Sequence, residues 1–228
     1  KRYCDVAPSM NTINWALTKK IIGLGAQFFI IMVCMLFIFQ VINIIIVRVC
    51  GSENVTAYNI AYKYFNILNM AMMIIVTPFW SACADAYTKK DFLWMKNVIE
   101  KMEMIWKLSI CVLIIMILVS STFYDIWVGD SVKISLSLSV MVGVYILVQN
   151  LCGIYIYMIN GTSKIRLQLV VYLVSAFISV PTMYFLCSKY GITVMLLVPI
   201  SVCLIQAFVA KKQLTKIIRG TASGIWIK

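Results

Sequence analysis

The 228 residues carry 63% apolar and 12% charged side chains, with a net charge of +12. Soluble domains average about 45–50% apolar and about 25% charged residues. A chain this short has no aqueous interior large enough for such an excess, so a water-soluble fold is excluded and lipid is the expected solvent. The basic residues sit at the ends of apolar runs, where anionic headgroups lie, and not in a patch interleaved with aromatics. Nucleic acid is therefore not an expected partner, whereas membrane lipids are. Histidine is absent, and none of the eight cysteines forms a C-x-x-C pair. Structural zinc patterns, haem attachment and histidine-based catalysis fall away, and no metal or cofactor is expected.

A spanning helix needs about 20 mostly apolar residues. Six stretches qualify in chain order, at about 21–47, 55–84, 105–123, 135–159, 167–186 and 192–210. Residues 1–20 precede them as a basic segment, and 211–228 follow as a basic tail suited to anionic lipid. Pro181 and Pro199 fall inside the last two spans, where proline kinks a helix but is tolerated. The stretches 160–163 and 188–191 read as tight turns between antiparallel helices. Between the second and third spans, Phe92, Met95, Ile99, Met102 and Trp106 recur at helical spacing, while Lys96–Glu100 and Glu103–Lys107 stand at i,i+4. Residues 89–107 are thus expected to form an amphipathic helix at the membrane interface, either on its own or continuous with the third span.

Alternating the six spans sorts the charge. Segments 1–20, 89–107, 164–166 and 211–228 share one side and hold sixteen of the twenty lysines and arginines; Arg48, Lys133 and Lys189 lie on the other, and Lys63 falls within a span. Positive charge stays inside, so both ends of the segment are expected in the cytoplasm. Most cysteines lie in apolar runs as small hydrophobes. Cys50 and Cys187 fall near the outer ends of their spans, where a disulfide is conceivable, but sequence alone does not bring them within bridging distance, and free thiols are the preferred reading.

Polar side chains within spans are costly and mark function. Asn59, Lys63 and Asn66 follow i, i+4, i+7 on the second span, with Asn69 beside them. Two readings fit Lys63: a water-filled cavity, or a lysine that snorkels to the outer headgroups; the two flanking amides favour the cavity. Gln40 and Asn43 share a face in the outer half of the first span, with Arg48 above them, and Gln149 and Asn150 lie mid-way along the fourth. For any one amide, a hydrogen bond between helices is the competing explanation. Gly143 and Gly153 are expected to allow close helix contact. Asp125 and Asp130 flank an outer loop and could form a carboxylate pair, but a solvated turn beside an interfacial tryptophan is the preferred reading; Asp85 and Asp91 read as helix-capping or helix-terminating residues. Among these residues there is no nucleophile–base set and no phosphate loop, so no enzyme is expected.

Several landmarks resemble one family. Gly51 followed by Val55-Thr56-Ala57-Tyr58-Asn59-Ile60-Ala61, then Pro78-Phe79-Trp80, Asp85-Ala86 and Asp91, are similar to one helix of the O-antigen and polysaccharide flippases. These belong to the multidrug/oligosaccharidyl-lipid/polysaccharide exporter superfamily. Ile126-Trp127-Val128-Gly129, Ile159-Asn160-Gly161, Lys164-Ile165, Gln168 and Gly191-Ile192 resemble later landmarks in the same order. The resemblance implies an all-α integral membrane fold in which this chain is one six-helix lobe of a two-lobe transporter, with a further N-terminal six-helix lobe as its partner. It also implies a bacterial inner-membrane location and a polyprenyl-pyrophosphate-linked oligosaccharide as substrate. Lys63, helped by Arg48, would then neutralise the pyrophosphate. Gln40, Asn43, Asn66, Gln149 and Asn150 would bind sugar hydroxyls, with Asn59 a further cavity candidate. Rival readings are a drug or organic-cation antiporter of the same superfamily, a membrane-embedded transferase and a non-transporting assembly protein. The antiporter usually needs an intramembrane carboxylate, and the six apolar stretches hold none.

Overall fold

The computed structural model describes residues 15–129 and 132–227, which are helical and contain no strand. Lys1, Arg2, Cys4, Asp130 and Lys228 lie outside the described residues. The helices run α1 (Trp15–Phe39), α2 (Val41–Cys50), α3 (Ser52–Thr88), α4 (Phe92–Trp127), α5 (Leu136–Thr162), α6 (Arg166–Tyr190), α7 (Ile192–Met195) and α8 (Leu197–Ile218). A helix satisfies its own backbone N–H and C=O groups, which lipid does not, so apolar runs of this length fold this way. α1 with α2 makes one crossing and α7 with α8 another, which gives six stretches long and apolar enough to span a bilayer. This is the all-α, six-span fold that the apolar runs predict.

The helices outlast the apolar runs that reveal them. α3 has 37 residues and α4 has 36; at 1.5 Å per residue each is about 55 Å long, against about 30 Å of hydrocarbon. Both therefore outlast the hydrocarbon, α4 in its first turns from Phe92 to Lys107, where basic residues gather. The connection there is short. Lys90 adopts a left-handed φ of 60°, and the Asp91 carboxylate accepts the Trp94 backbone N–H at 3.0 Å, capping α4. Asp85 pairs with Lys89 at 2.7 Å across the last turn of α3.

Residues 92–107 are the opening turns of α4, so the amphipathic segment is continuous with the third span. Their apolar face lies within the lobe: Met95, Val98 and Met102 are buried, and the Trp106 indole N–H donates to the Leu147 carbonyl on α5 at 2.8 Å. Lys96 and Glu100 pair as expected, at 3.8 Å. Glu103 instead meets Lys211 of α8 at 3.0 Å and accepts the Tyr155 hydroxyl at 2.7 Å. The basic tail also begins as helix, since α8 continues to Ile218 with Leu214 and Ile217 buried. Gln213 donates to the Lys164 and Trp226 carbonyls at 2.9 and 3.1 Å, folding the tail back onto the lobe.

The two predicted turns are tighter than expected. α5 continues through Asn160, Gly161 and Thr162, and the chain reverses at Ser163, with φ 59°. α6 continues through Tyr190 and breaks at Gly191, with φ 81°. Of the prolines, Pro78 and Pro181 lie inside unbroken α3 and α6. Pro199 has no N–H to offer the Met195 carbonyl, and α7 ends at that residue.

α5 and the α7–α8 crossing form the centre, each 56% buried over its most apolar window, compared with 17% for α4 and α6. α5 packs against α3, α4 and α8; α1 packs against α6. Glycine permits two of these approaches. A Cβ on Gly143 would stand 2.8 Å from Leu113 Cδ1, and one on Gly161 would stand 2.9 Å from the Trp80 carbonyl oxygen. Gly153 makes no such contact; nothing lies within 4 Å of a Cβ built there.

Candidate functional site

α1 leans on α6 and α3 leans on α5, leaving few or no close backbone contacts between α1 and α3. A cleft opens between these two helices with α5 as its floor, and α2 packs against α3 at the end away from the basic residues. The cleft has two compartments that share Met32, Met35, Phe39 and Gln149.

The far compartment holds about 620 Å³ and is lined by Gln40 and Asn43 from the α1–α2 crossing, Tyr58, Asn59, Tyr62 and Lys63 from α3, and Tyr145 and Gln149 from α5. Helical spacing explains the α3 set. Asn59 and Lys63 stand one turn apart, as do Tyr58 and Tyr62, so all four fall on the face turned toward α1. The tyrosines make an aromatic wall, with ring centroids 6.0 Å apart for Tyr58–Tyr62 and 6.3 Å for Tyr62–Tyr145.

The near compartment, toward the basic end, holds about 300 Å³. Asn69, Trp80, Asn150, Tyr157, Asn160, Gln168 and Tyr172 line it together with methionine and aliphatic side chains. Trp80 packs edge-on against Tyr157 at 5.7 Å and lies 6.2 Å from Phe28.

Amide chemistry dominates the cleft. Asn43 Oδ1, Gln149 Oε1, Asn150 Nδ2, Asn160 Oδ1 and Gln168 Oε1 are buried, yet find no hydrogen-bond partner among the described residues. Asn150 and Gln168 are only 5% and 3% exposed. Each unmet buried polar group costs about 1–3 kcal/mol. Five in one cleft are unfavourable for stability alone, but suit a site that binds polar ligand groups. Among the described residues the lining has a single cation, Lys63, and no carboxylate in either compartment. Among the described residues, no group of three or more His, Cys, Asp or Glu is placed to hold a metal ion.

The MatE family model matches residues 28–185, from within α1 to the last turns of α6. The chain belongs to the MatE family. It is accordingly a multi-pass membrane transporter of the multidrug/oligosaccharidyl-lipid/polysaccharide exporter superfamily, whose MatE members are transporters and not enzymes. Searches of the curated proteins and of the solved structures each find no match.

In this MatE lobe the cleft gathers Gln40, Asn43, Asn59, Lys63 and Gln149 in one compartment and Asn150 in the other. Lys63 is exposed on the wall of the cleft, a position that fits both of its sequence readings. Asn66 is diverted: its Oδ1 accepts the Asn69 side-chain N–H at 3.0 Å, and Asn69 faces the cleft in its place. Arg48 is exposed in the last turn of α2 and lines neither compartment. Of the flanking acids, Asp125 is exposed in the last turn of α4.

Sequence reasoning did not pick out Tyr58, Tyr62, Tyr145, Trp80, Tyr157, Asn160 or Gln168 as lining residues. For the α3 tyrosines a signal existed, because Tyr58 and Tyr62 flank Asn59 and Lys63 and share their turn of helix. Asn160 was hidden by its reading as part of a turn.

Proposed function

We propose that this MatE chain forms one lobe of a flippase that moves polyprenyl-pyrophosphate-linked oligosaccharide across the bacterial inner membrane, with its basic end in the cytoplasm. The observation that carries this reading is Lys63 in an amide-rich cleft where, among the described residues, it is the single cation and no acidic residue lines the wall. A lone cation inside a cleft bordered by lipid attracts an anionic headgroup more strongly than it would in bulk water. The unpartnered amides supply donors and acceptors for sugar hydroxyls, and the aromatic walls offer flat apolar surface to the rings they carry. The lipid tail stays in the bilayer, which the cleft borders between α1 and α3. A second six-helix lobe closes the open side. An organic cation is the poorer fit, since it would meet Lys63 and find no carboxylate.

The test is transport by the complete transporter in proteoliposomes, with labelled polyprenyl-pyrophosphate oligosaccharide in one set and a fluorescent organic cation in another. Transbilayer movement of the lipid-linked sugar, without covalent change and without movement of the cation, supports the reading. Movement of the cation alone refutes it.

A further inference from the structure

Two cysteines separated by 137 residues meet at the end of the lobe opposite the basic residues. Cys50 closes α2 and Cys187 lies in the last turn of α6, with their Sγ atoms 3.5 Å apart. The helices that carry them pack together, and both stop immediately beyond the pair. Gly51 follows Cys50 with φ 89°, and the Gly191 backbone N–H donates to the Cys187 carbonyl at 3.0 Å. The thiols are thus held at neighbouring helix ends, not on mobile loops. A disulfide has S–S near 2.05 Å, so the sulfurs need to close by about 1.5 Å, a distance within reach of side-chain rotation.

We propose that Cys50 and Cys187 are a thiol pair built to be oxidised to an intramolecular disulfide on the extracytoplasmic side of the membrane. The proposal rests on the orientation given under Proposed function, because disulfides persist outside the cytoplasm and are reduced within it. Access orders the steps. Cys50 is partly exposed, whereas Cys187 is buried at 2% exposure. The Cys50 thiolate attacks one sulfur of an oxidised dithiol donor, forming a mixed disulfide and releasing the donor's other sulfur as a thiolate. The Cys187 thiol then loses its proton and attacks the Cys50 sulfur of the mixed disulfide, releasing the donor's second sulfur. Two thiols of this chain are oxidised and one donor disulfide is reduced to two thiols.

The bond has a consequence for the cleft. α2 carries Asn43, which lines the far compartment, whereas α6 contributes nothing to that compartment. Joining Cys50 to Cys187 fixes α2 against α6 and so sets the position of one wall beside Lys63.

The experiment uses the full chain in native membranes. Cells are quenched with acid, and denatured protein is alkylated with a maleimide-linked polymer, with or without prior reduction. Wild type is expected to carry two fewer polymer adducts without reduction than with it. Cys50→Ser and Cys187→Ser are expected to carry equal numbers either way. Equal adduct numbers in wild type would overturn the proposal, whatever the variants do. A second arm applies a membrane-impermeant maleimide to intact cells expressing Cys187→Ser. Labelling of Cys50 from outside supports the orientation; labelling only after the cells are opened refutes the orientation, and the disulfide with it. Outside labelling combined with equal wild-type adducts rejects the disulfide alone.

Discussion

Replacing Gly161 by alanine probes the closest approach of the central helix to α3. The added Cβ would stand 2.9 Å from the Trp80 carbonyl oxygen, 3.0 Å from Cys83 Cβ and 3.1 Å from the Ala84 backbone nitrogen. Non-bonded carbon contacts are comfortable at about 3.5–4.0 Å, so the helices must part by about half an ångström. Backbone atoms supply two of the three contacts, and no side-chain rotation relieves them. Overpacking of this kind costs about 1–3 kcal/mol, while alanine returns about 0.5–1 kcal/mol over glycine within a helix. The central values leave a net loss of about 1 kcal/mol, equivalent to a melting temperature lower by about 2–4 °C for a chain of this size. Gly143→Ala should cost less, because its 2.8 Å neighbour is the tip of the Leu113 side chain. Gly153→Ala meets nothing within 4 Å and should melt at or above wild type. Thermal unfolding in detergent, followed by tryptophan fluorescence, ranks the three variants. Gly161→Ala melting at or above wild type, with Gly153→Ala below it, would refute the helix packing described here. The same substitution displaces Trp80, so ligand binding in the near compartment should weaken along with stability.

Other predictions address separate contacts. Glu103→Gln removes the charge that holds Lys211 at 3.0 Å; with Lys211 more than half exposed, the loss should be about 1 kcal/mol, should shrink in high salt, and should register as a lower melting temperature. Trp106→Phe deletes the N–H that binds the Leu147 carbonyl, and the same melting assay should show a loss of about 1 kcal/mol. A reporter peptide inserted after Gly51 and another after Lys90 should be cleaved by protease from opposite faces of the membrane. Cleavage of both from one face would invalidate the threading.

The six crossings were legible because hydrocarbon thickness imposes a minimum apolar length, and charge asymmetry then fixes their alternation. Their ends were not legible. Polar turns of α3 and α4 continue as helix outside the apolar window, and nothing in their composition separates a projecting helix from a connecting loop. The amphipathic stripe Met95–Met102 had the right period but an ambiguous partner, since protein and interface both accept an apolar face. On the candidate site, i and i+4 spacing was enough to place Asn59 and Lys63 together. The meeting of Asn150, Asn160 and Gln168 depends on how α5 and α6 each turn toward the cleft, which single-helix periodicity does not encode. Gly161 illustrates the same limit, because a glycine beside Asn160 reads as a turn until the opposing backbone of α3 is visible. The pairing of Glu103 with Lys211 crosses three helices and displaces the local partner Lys107 that sequence spacing favoured.

The most direct measurement of the central claim is the rate at which polyprenyl-pyrophosphate oligosaccharide crosses proteoliposomes containing Lys63→Ala, compared with wild type, Lys63→Arg and Ile115→Ala. A charge-assisted hydrogen bond contributes about 1.5–3 kcal/mol, so Lys63→Ala should slow translocation by roughly 10- to 100-fold. Lys63→Arg should retain most of the rate, and exposed Ile115, which lines neither compartment, should be replaceable without effect. An unchanged rate in Lys63→Ala would contradict the assignment of this cleft as the path of the anionic headgroup.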